Sequence, residues 1–226
     1  MCIRDSKNIL KTLPKNAERR FQHNKDTDWA GYINLAYDTR FADKLDALWK
    51  VGAQYRRKER SNRYYSYVFN PADISQQLDG NGYEQFANVD WVCKTPYSQA
   101  SQLNYDSKEH IGGVYAMATL SSALGELNVG LRAEHTNQIY TMLQHFRNMG
   151  QVGEQSYWDY LPSASVKWTP TKKMNVRLSY YRSINRPGFY EIVPYQIQGE
   201  EYQEKGNPEL KRARIDNISQ ASSTSI

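Results

Sequence analysis

The stretch Asp28-Trp29-Ala30-Gly31-Tyr32-Ile33-Asn34-Leu35-Ala36-Tyr37-Asp38 alternates without a break. Trp29, Gly31, Ile33, Leu35 and Tyr37 fall on one side of an extended chain, and Ala30, Tyr32, Asn34, Ala36 and Asp38 fall on the other. Successive side chains of an extended backbone point to opposite sides, so this period of two predicts a strand with one apolar and one polar face. The next stretch repeats the pattern. Ala47, Trp49, Val51, Ala53 and Tyr55 alternate with Leu48, Lys50, Gly52, Gln54 and Arg56, and Thr39–Asp46 between them is short and polar enough for a hairpin turn.

The same unit recurs downstream. An irregular strand over His110–Thr119 is followed by the turn Leu120–Gly125 and by Leu127, Val129, Leu131 and Ala133 alternating with Asn128, Gly130, Arg132 and Glu134. A third pair sets Ala164, Val166 and Trp168 against Ser165 and Lys167, then Met174, Val176 and Leu178 against Asn175, Arg177 and Ser179. Its turn is Thr169-Pro170-Thr171-Lys172-Lys173, rich in turn formers. Long polar spacers separate the hairpins, over Lys58–Glu109, Asn137–Ser156 and Ser183–Arg212. A soluble sandwich has short turns at both ends, whereas an outer-membrane barrel alternates short periplasmic turns with long extracellular loops. The predicted fold is therefore all-β, an antiparallel transmembrane β-barrel wall. Its strands suit a tilted crossing of about 9–11 residues.

Composition agrees. The 226 residues hold 29 Lys and Arg against 24 Asp and Glu, a net charge of +5, and 18 of the aromatic residues are tyrosines. No run of apolar residues is long enough for a transmembrane helix. Two cysteines, Cys2 and Cys93, make neither a disulfide framework nor a thiolate zinc site. Lys50, Arg56, Arg132, Glu134, Lys167 and Arg177 all lie on the polar face, where a water-filled lumen accommodates charge. Trp29, Trp49, Tyr55 and Trp168 lie on the apolar face and suit interfacial girdles. The chain begins Met1-Cys2-Ile3-Arg4-Asp5-Ser6, which resembles translated adapter sequence, and no apolar signal-peptide core follows. Both ends read as cut. The expected division is 1–27 as a truncated start, 28–218 as a partial barrel and 219–226 as an irregular cut end.

Three stretches in order carry a resemblance. They are Asp159-Tyr160-Leu161-Pro162-Ser163, then Tyr180-Tyr181-Arg182-Ser183-Ile184-Asn185-Arg186-Pro187, then Gly206-Asn207-Pro208-Glu209-Leu210-Lys211. Together with Gly130-Leu131-Arg132-Ala133-Glu134, they make the chain from Trp29 to Asn217 resemble the barrel of TonB-dependent outer-membrane receptors of Bacteroidetes type. The resemblance implies a barrel of about 22 strands, of which this chain would supply about seven. It also implies active uptake of a scarce nutrient such as a ferric siderophore, haem, cobalamin or glycan. The implied partners are outer-membrane lipid and lipopolysaccharide, a small-molecule or glycan ligand, and the TonB complex, reached through a plug that this sequence does not include. The implied location is the outer membrane of a Gram-negative cell.

Chemistry-bearing residues are sparse. His23, His110, His135 and His145 lack ligand spacing, so no metal site and no cofactor is assigned. Glu200, Glu201 and Glu204 form an acidic patch without the Asp/Asn/Gly pattern of a calcium loop, and read as a solvated cluster. Arg56, Arg57, Lys58, Arg60 and Arg63 sit at the top of a predicted strand and read as lumen-lining or lipid-facing charge, not as a nucleic-acid surface. Tyr64, Tyr65 and Tyr67 in one loop, with Tyr190, Tyr195 and Tyr202 in another, are the candidate ligand contacts, because rings stack on sugars and chelates. No nucleophile elbow, phosphate loop or nucleotide fingerprint occurs, so no enzyme activity and no catalytic residue is assigned. The alternatives are another outer-membrane barrel (porin, adhesin or barrel enzyme) and a soluble carbohydrate-binding sandwich, which detergent-free solubility would favour.

Overall fold

A computed structural model describes residues 17–41, 45–72, 89–95, 103–143, 150–171, 174–198 and 202–224. In chain order the elements are β1 (Ala17–Phe41), β2 (Leu45–Pro71), β3 (Trp91–Thr95), β4 (Tyr105–Ser122), β5 (Gly125–Met142), β6 (Val152–Thr171) and β7 (Met174–Asn185). Helix α1 (Phe189–Ile192), β8 (Gln196–Gln198), β9 (Gln203–Lys205) and β10 (Ala213–Thr224) follow. Seven strands form one antiparallel path, β1-β2-β4-β5-β6-β7-β10, with β3 added to the end of β2 and β8-β9 as a separate hairpin. The sheet curls into a half-barrel.

The pleat sorts the side chains as the alternation predicts. Tyr37, Trp49, Ala118, Val129 and Ala164 align across five strands on one face. Next to them run Leu35, Val51, Ala116 and Leu131, then Ile33, Ala53, Val114 and Ala133. This outer face is bare: Ile33 is 70% exposed, Leu35 66% and Tyr160 61%. So large a contiguous apolar surface needs lipid against it. Aromatic residues bound the band. Trp29 meets Tyr55 edge to face at 5.6 Å near its upper limit, with Trp158 and Tyr160 on β6, while Phe41 and Trp168 mark the lower one. Trp49, expected in a girdle, lies inside the band instead, between Tyr55 and Leu45 on β2.

The described turn at the lower end is shorter than expected. β4 and β5 are joined by Ala123 and Leu124 alone, and Ser122↔Gly125 closes the hairpin. Gly125 has φ of +149°, and a side chain there would strike the Lys167 carbonyl, so only glycine serves. The turns over 42–44 and 172–173 lie outside the described residues.

At the upper end the strands run well past the boundaries read from periodicity. β1 starts at Ala17, so the strand takes in 17–27, which were expected to precede the barrel. β2 continues through Lys58 to Pro71, paired with β1 as far as Ala17↔Phe69, which shortens the expected Lys58–Glu109 spacer. Asn137–Met142 and Val152–Ser156 are strand as well. The cause is physical: above the lipid both faces are wet, so Arg56-Arg57-Lys58-Glu59-Arg60 shows no apolar beat although its backbone ladder continues. Ser219–Thr224, expected to be irregular, pairs with β7 through Thr224↔Met174.

The facing assignment is testable. Val129→Arg or Leu131→Arg, midway along the apolar run of β5, should cost about 2–4 kcal/mol of folding stability in bilayers, while Lys50→Gln on the opposite face should cost little. Urea titration in lipid vesicles measures both, and equal losses would refute the orientation.

Candidate functional site

The concave face becomes a site where the segment between β7 and β10 turns back onto it. Pro187 ends the ladder that β7 makes, because proline has no amide hydrogen to give. Gly188 then opens α1, and its N–H donates to Glu191 Oε2 at 2.7 Å. This one-turn helix buries Phe189 and Ile192. Around them gather Val193 and Tyr195 of the same segment, Tyr64 of β2, Leu103, and Tyr105, Tyr140 and Met142 from the upper ends of β4 and β5. The Arg60 guanidinium lies 5.8 Å from the Phe189 ring centroid. The principal apolar core among the described residues is therefore the seat of an inward strap.

Ion pairs fasten the strap at both ends. At the first, Arg186 grips the Glu134 carboxylate, which Arg132 also holds, and its Nε donates to Thr136 Oγ1 at 3.0 Å. Gln138 donates to Glu109 Oε2 at 2.7 Å and to the Pro187 carbonyl at 3.3 Å. At the second end Asp159, only 1% exposed, accepts from Arg212 Nε at 2.8 Å and from Arg214 Nε at 3.0 Å. Arg212 also lies 4.1 Å over the Tyr157 ring. Gln155 donates to the carbonyls of Pro208 and Leu210 at 2.5 and 3.2 Å. Between these anchors Glu204 accepts hydrogen bonds from the hydroxyls of Tyr190 and Tyr195, each at 2.8 Å. Gly206 passes so close to the Val193 carbonyl that a side chain would collide with it.

The docking is incompletely satisfied. Gln138 Oε1, Ser107 Oγ and the Tyr157 hydroxyl are buried with no hydrogen-bond partner among the described residues. Each such atom opposes burial by about 1–3 kcal/mol. They offset part of what the ion pairs and core contribute.

The lumen-facing assignments can be compared with the register. Lys50, Arg56, Arg132, Glu134, Lys167 and Arg177 all share the concave face, with Lys167 directly opposite Arg177 and Arg132 reaching across β4 to Gln54 at 2.9 Å. Arg56 pairs with Asp28, and Arg60 holds Asp26 through two bonds of 2.7 and 2.6 Å. Arg57 and Arg63, from the same basic run, point to the outer side and pair with Glu59 and Asp106. The arginine hydrogen bonds keep the Asp26 carboxyl below its ordinary range.

The six candidate tyrosines do not form one site. Tyr64 and Tyr195 are buried in the strap's core, and Tyr190 is half-buried beside Tyr195 with ring centroids 4.5 Å apart. Tyr65 and Tyr67 belong to β2, not to a loop, and face outward, where Tyr67 meets Phe21 edge to face at 5.9 Å. Tyr202 is 70% exposed beside the β8-β9 hairpin. Glu200, Glu201 and His145 lie outside the described residues, and among the described residues no three His, Cys, Asp or Glu side chains gather as a metal requires. Sequence reasoning missed the anchors Asp159, Arg186, Arg212, Arg214 and Gln138 as a set. Two of them, Asp159 and Arg186, sit within the stretches that carried the family resemblance.

An amphipathic sheet with an apolar convex face, an ionic concave face and upper strands that outrun the bilayer is the wall of an outer-membrane β-barrel. The chain belongs to the outer membrane protein beta-barrel family, whose model matches residues 4–224. Among solved structures it is similar to the siderophore receptor PiuA from Acinetobacter baumannii, at 14% identity and a TM-score of 0.48, over 73% of this chain and 24% of that one. It is also similar to the ferric citrate transporter FecA in its unliganded form, at 16% identity and a TM-score of 0.48, over 74% of this chain and 22% of that one. The chain thus spans about a quarter of the length of either receptor. No curated protein matches it in sequence.

Two outcomes follow from the anchors. Removing both Arg212 and Arg214 (each to Ala) strands the buried Asp159 charge and should loosen the strap by about 3–5 kcal/mol. Arg186→Ala should do less, because Arg132 stays on Glu134. Amide hydrogen exchange over 188–206 reads the difference, and unchanged protection in the double variant would contradict the clamp. Burial, and then the hydrogen bonds around Glu204, push the phenols of Tyr190 and Tyr195 above their ordinary value. A group with a raised folded value contributes stability below its unfolded value, near 10 for tyrosine, and loses it as pH climbs through the folded one. Ultraviolet titration should therefore show these two phenols ionising above the ordinary tyrosine value, together with release of the strap.

Proposed function

We propose that this chain forms part of the wall of an energised outer-membrane receptor that takes up a scarce nutrient, a ferric siderophore, haem, cobalamin or glycan, with TonB-dependent opening. The observation that carries the reading is the strap. A segment is folded onto the inner wall and clamped there by ion pairs, which narrows the lumen, while buried polar atoms stay unpartnered among the described residues. A receptor whose lumen opens only when driven has a use for such a marginally held element. The order of the motifs around Asp159, Arg186 and Asn207 supports the same reading.

In this account β1 and β10, each unpaired along one edge among the described residues, join further strands to close the barrel. Ligand arrives from the upper end, where Tyr202 and the outer part of Tyr190 offer rings for stacking. Tyr64 and Tyr195 act indirectly, by seating the strap. The chain performs no bond-making chemistry, and lipid with lipopolysaccharide surrounds its apolar face.

A knockout strain tests this on single sources of iron, haem, cobalamin or glycan. Growth should fail on one of these sources and return with the restored gene, and accumulation of that nutrient in the periplasm of the restored strain should stop when the proton gradient is collapsed. Uptake that is restored but insensitive to the gradient would overturn the energised reading in favour of a passive pore.

A further inference from the structure

The outer face is not apolar throughout. The register that places Tyr180 beside Ala164 also turns Arg182 outward, and Asp216 of β10 stands directly opposite it. Arg182 donates to Asp216 from Nε at 2.8 Å and from Nη2 at 3.1 Å. The Tyr180 hydroxyl donates to the same carboxylate at 2.8 Å. Asp216 is exposed, and Arg182 and Tyr180 are half-buried. Beneath them Leu178 and Ile218 stand out from the sheet, and Gln220 continues the polar line of β10.

Depth sets this patch against lipid. Arg182 lies eight residues up its strand from Met174, where β7 leaves the lower turn. Ala53 lies eight above Leu45 and Ala133 eight above Gly125, both within the apolar band. Tyr55, ten above Leu45, marks the upper limit of that band. On β1, β2, β4, β5 and β6 the outward rows between the aromatic limits hold residues such as Ile33, Val51, Val114 and Leu131, and no charge among the described residues. A charged side chain turned to hydrocarbon opposes insertion, and such groups in membrane proteins face protein or water. Protein contact is therefore the better partner for this part of the face.

The arrangement of the pair says which protein. Two copies of one barrel cross the bilayer in the same direction, so a symmetric contact between them has its two-fold axis along the membrane normal. That axis keeps depth and exchanges left for right. Arg182 and Asp216 are side by side on adjacent strands, so the rotation brings each arginine to the aspartate of the other copy. It also sets Tyr180 against Ile218, and Leu178 against Gln220. We propose that the outer sides of β7 and β10 pair the barrel with a second copy of itself. Four charges then close into one ring, shielded from lipid by Leu178, Tyr180 and Ile218. The contact rests on the outer-membrane fold and holds whatever the barrel imports.

The test uses the complete protein that carries this chain, labelled, reconstituted into phosphatidylcholine vesicles over a range of dilutions, and counted by single-molecule photobleaching. The unaltered protein should pair. Arg182→Asp makes the patch wholly acidic and Asp216→Arg makes it wholly basic, so each alone should raise the dissociation constant by about a hundredfold or more. An equal mixture of the two variants, labelled in two colours, should pair again, because each acidic face then meets a basic one. Loss of the pair inside each copy cannot restore pairing in the mixture. Heat-modified gel mobility reports that each barrel is folded. Where a reversed charge prevents folding, the milder Arg182→Gln with Asp216→Asn should weaken pairing by about tenfold. Arg177→Asp makes the same change of charge on the concave face and should leave pairing as it was. Unaltered protein that stays single at every dilution, a different polypeptide held on the patch, or a mixture no better paired than either variant would each overturn the proposal.

Discussion

Every backbone amide that enters the hydrocarbon must find its partner within the protein, because lipid offers none. The rest of this structure depends on that constraint. It forces the chain into long antiparallel ladders, and it keeps each membrane-crossing connection at the lower end to a few residues. It fixes Gly125, where a two-residue turn needs a backbone no other residue adopts comfortably. Above the apolar band, where water could also satisfy the backbone, β1 and β2 stay paired as far as Ala17↔Phe69.

On that scaffold the two faces solve opposite problems. The convex face presents Ile33, Leu35, Val114 and Leu131 to a solvent as apolar as they are. The concave face gathers charge and must neutralise it locally, through Arg56 with Asp28, Arg60 with Asp26, and Arg132 with Glu134. The strap adds Arg186, Arg212 and Arg214 to this lattice and supplies the chain's main apolar cluster from its own Phe189, Ile192 and Val193. Core and ionic site are thus one object, which ties the position of the strap to the state of the inner wall.

Much of this is legible in the residues alone. A period of two from Trp29 to Tyr37 or from Leu127 to Ala133 identifies membrane strands because lipid on one side and water on the other is the strongest environmental contrast a chain can meet. The same signal fails in Arg56-Arg57-Lys58-Glu59-Arg60, where that contrast ends while the backbone pairing does not. Tyr64 and Tyr195 illustrate a second gap. Tyrosines in polar surroundings read as available for a ligand, and only the return of residues 186–195 onto β2, β4 and β5 shows that their rings are already engaged. Asp159 and Arg212 are far apart in sequence, so nothing local announces their pairing. The motif stretches that contain or flank them were the one trace of it.

The central claim is that one face of this sheet meets lipid while the other lines a strapped lumen. Its most direct test is a scan of β5 from Leu127 to Glu134, with an environment-sensitive fluorophore on single cysteines in a background lacking Cys2 and Cys93, reconstituted with brominated lipid as quencher. Quenching that alternates, strong at Leu127, Val129, Leu131 and Ala133 and weak at Asn128, Gly130, Arg132 and Glu134, is the predicted result. Quenching that is uniform along the strand, or strongest at Arg132 and Glu134, would contradict the account.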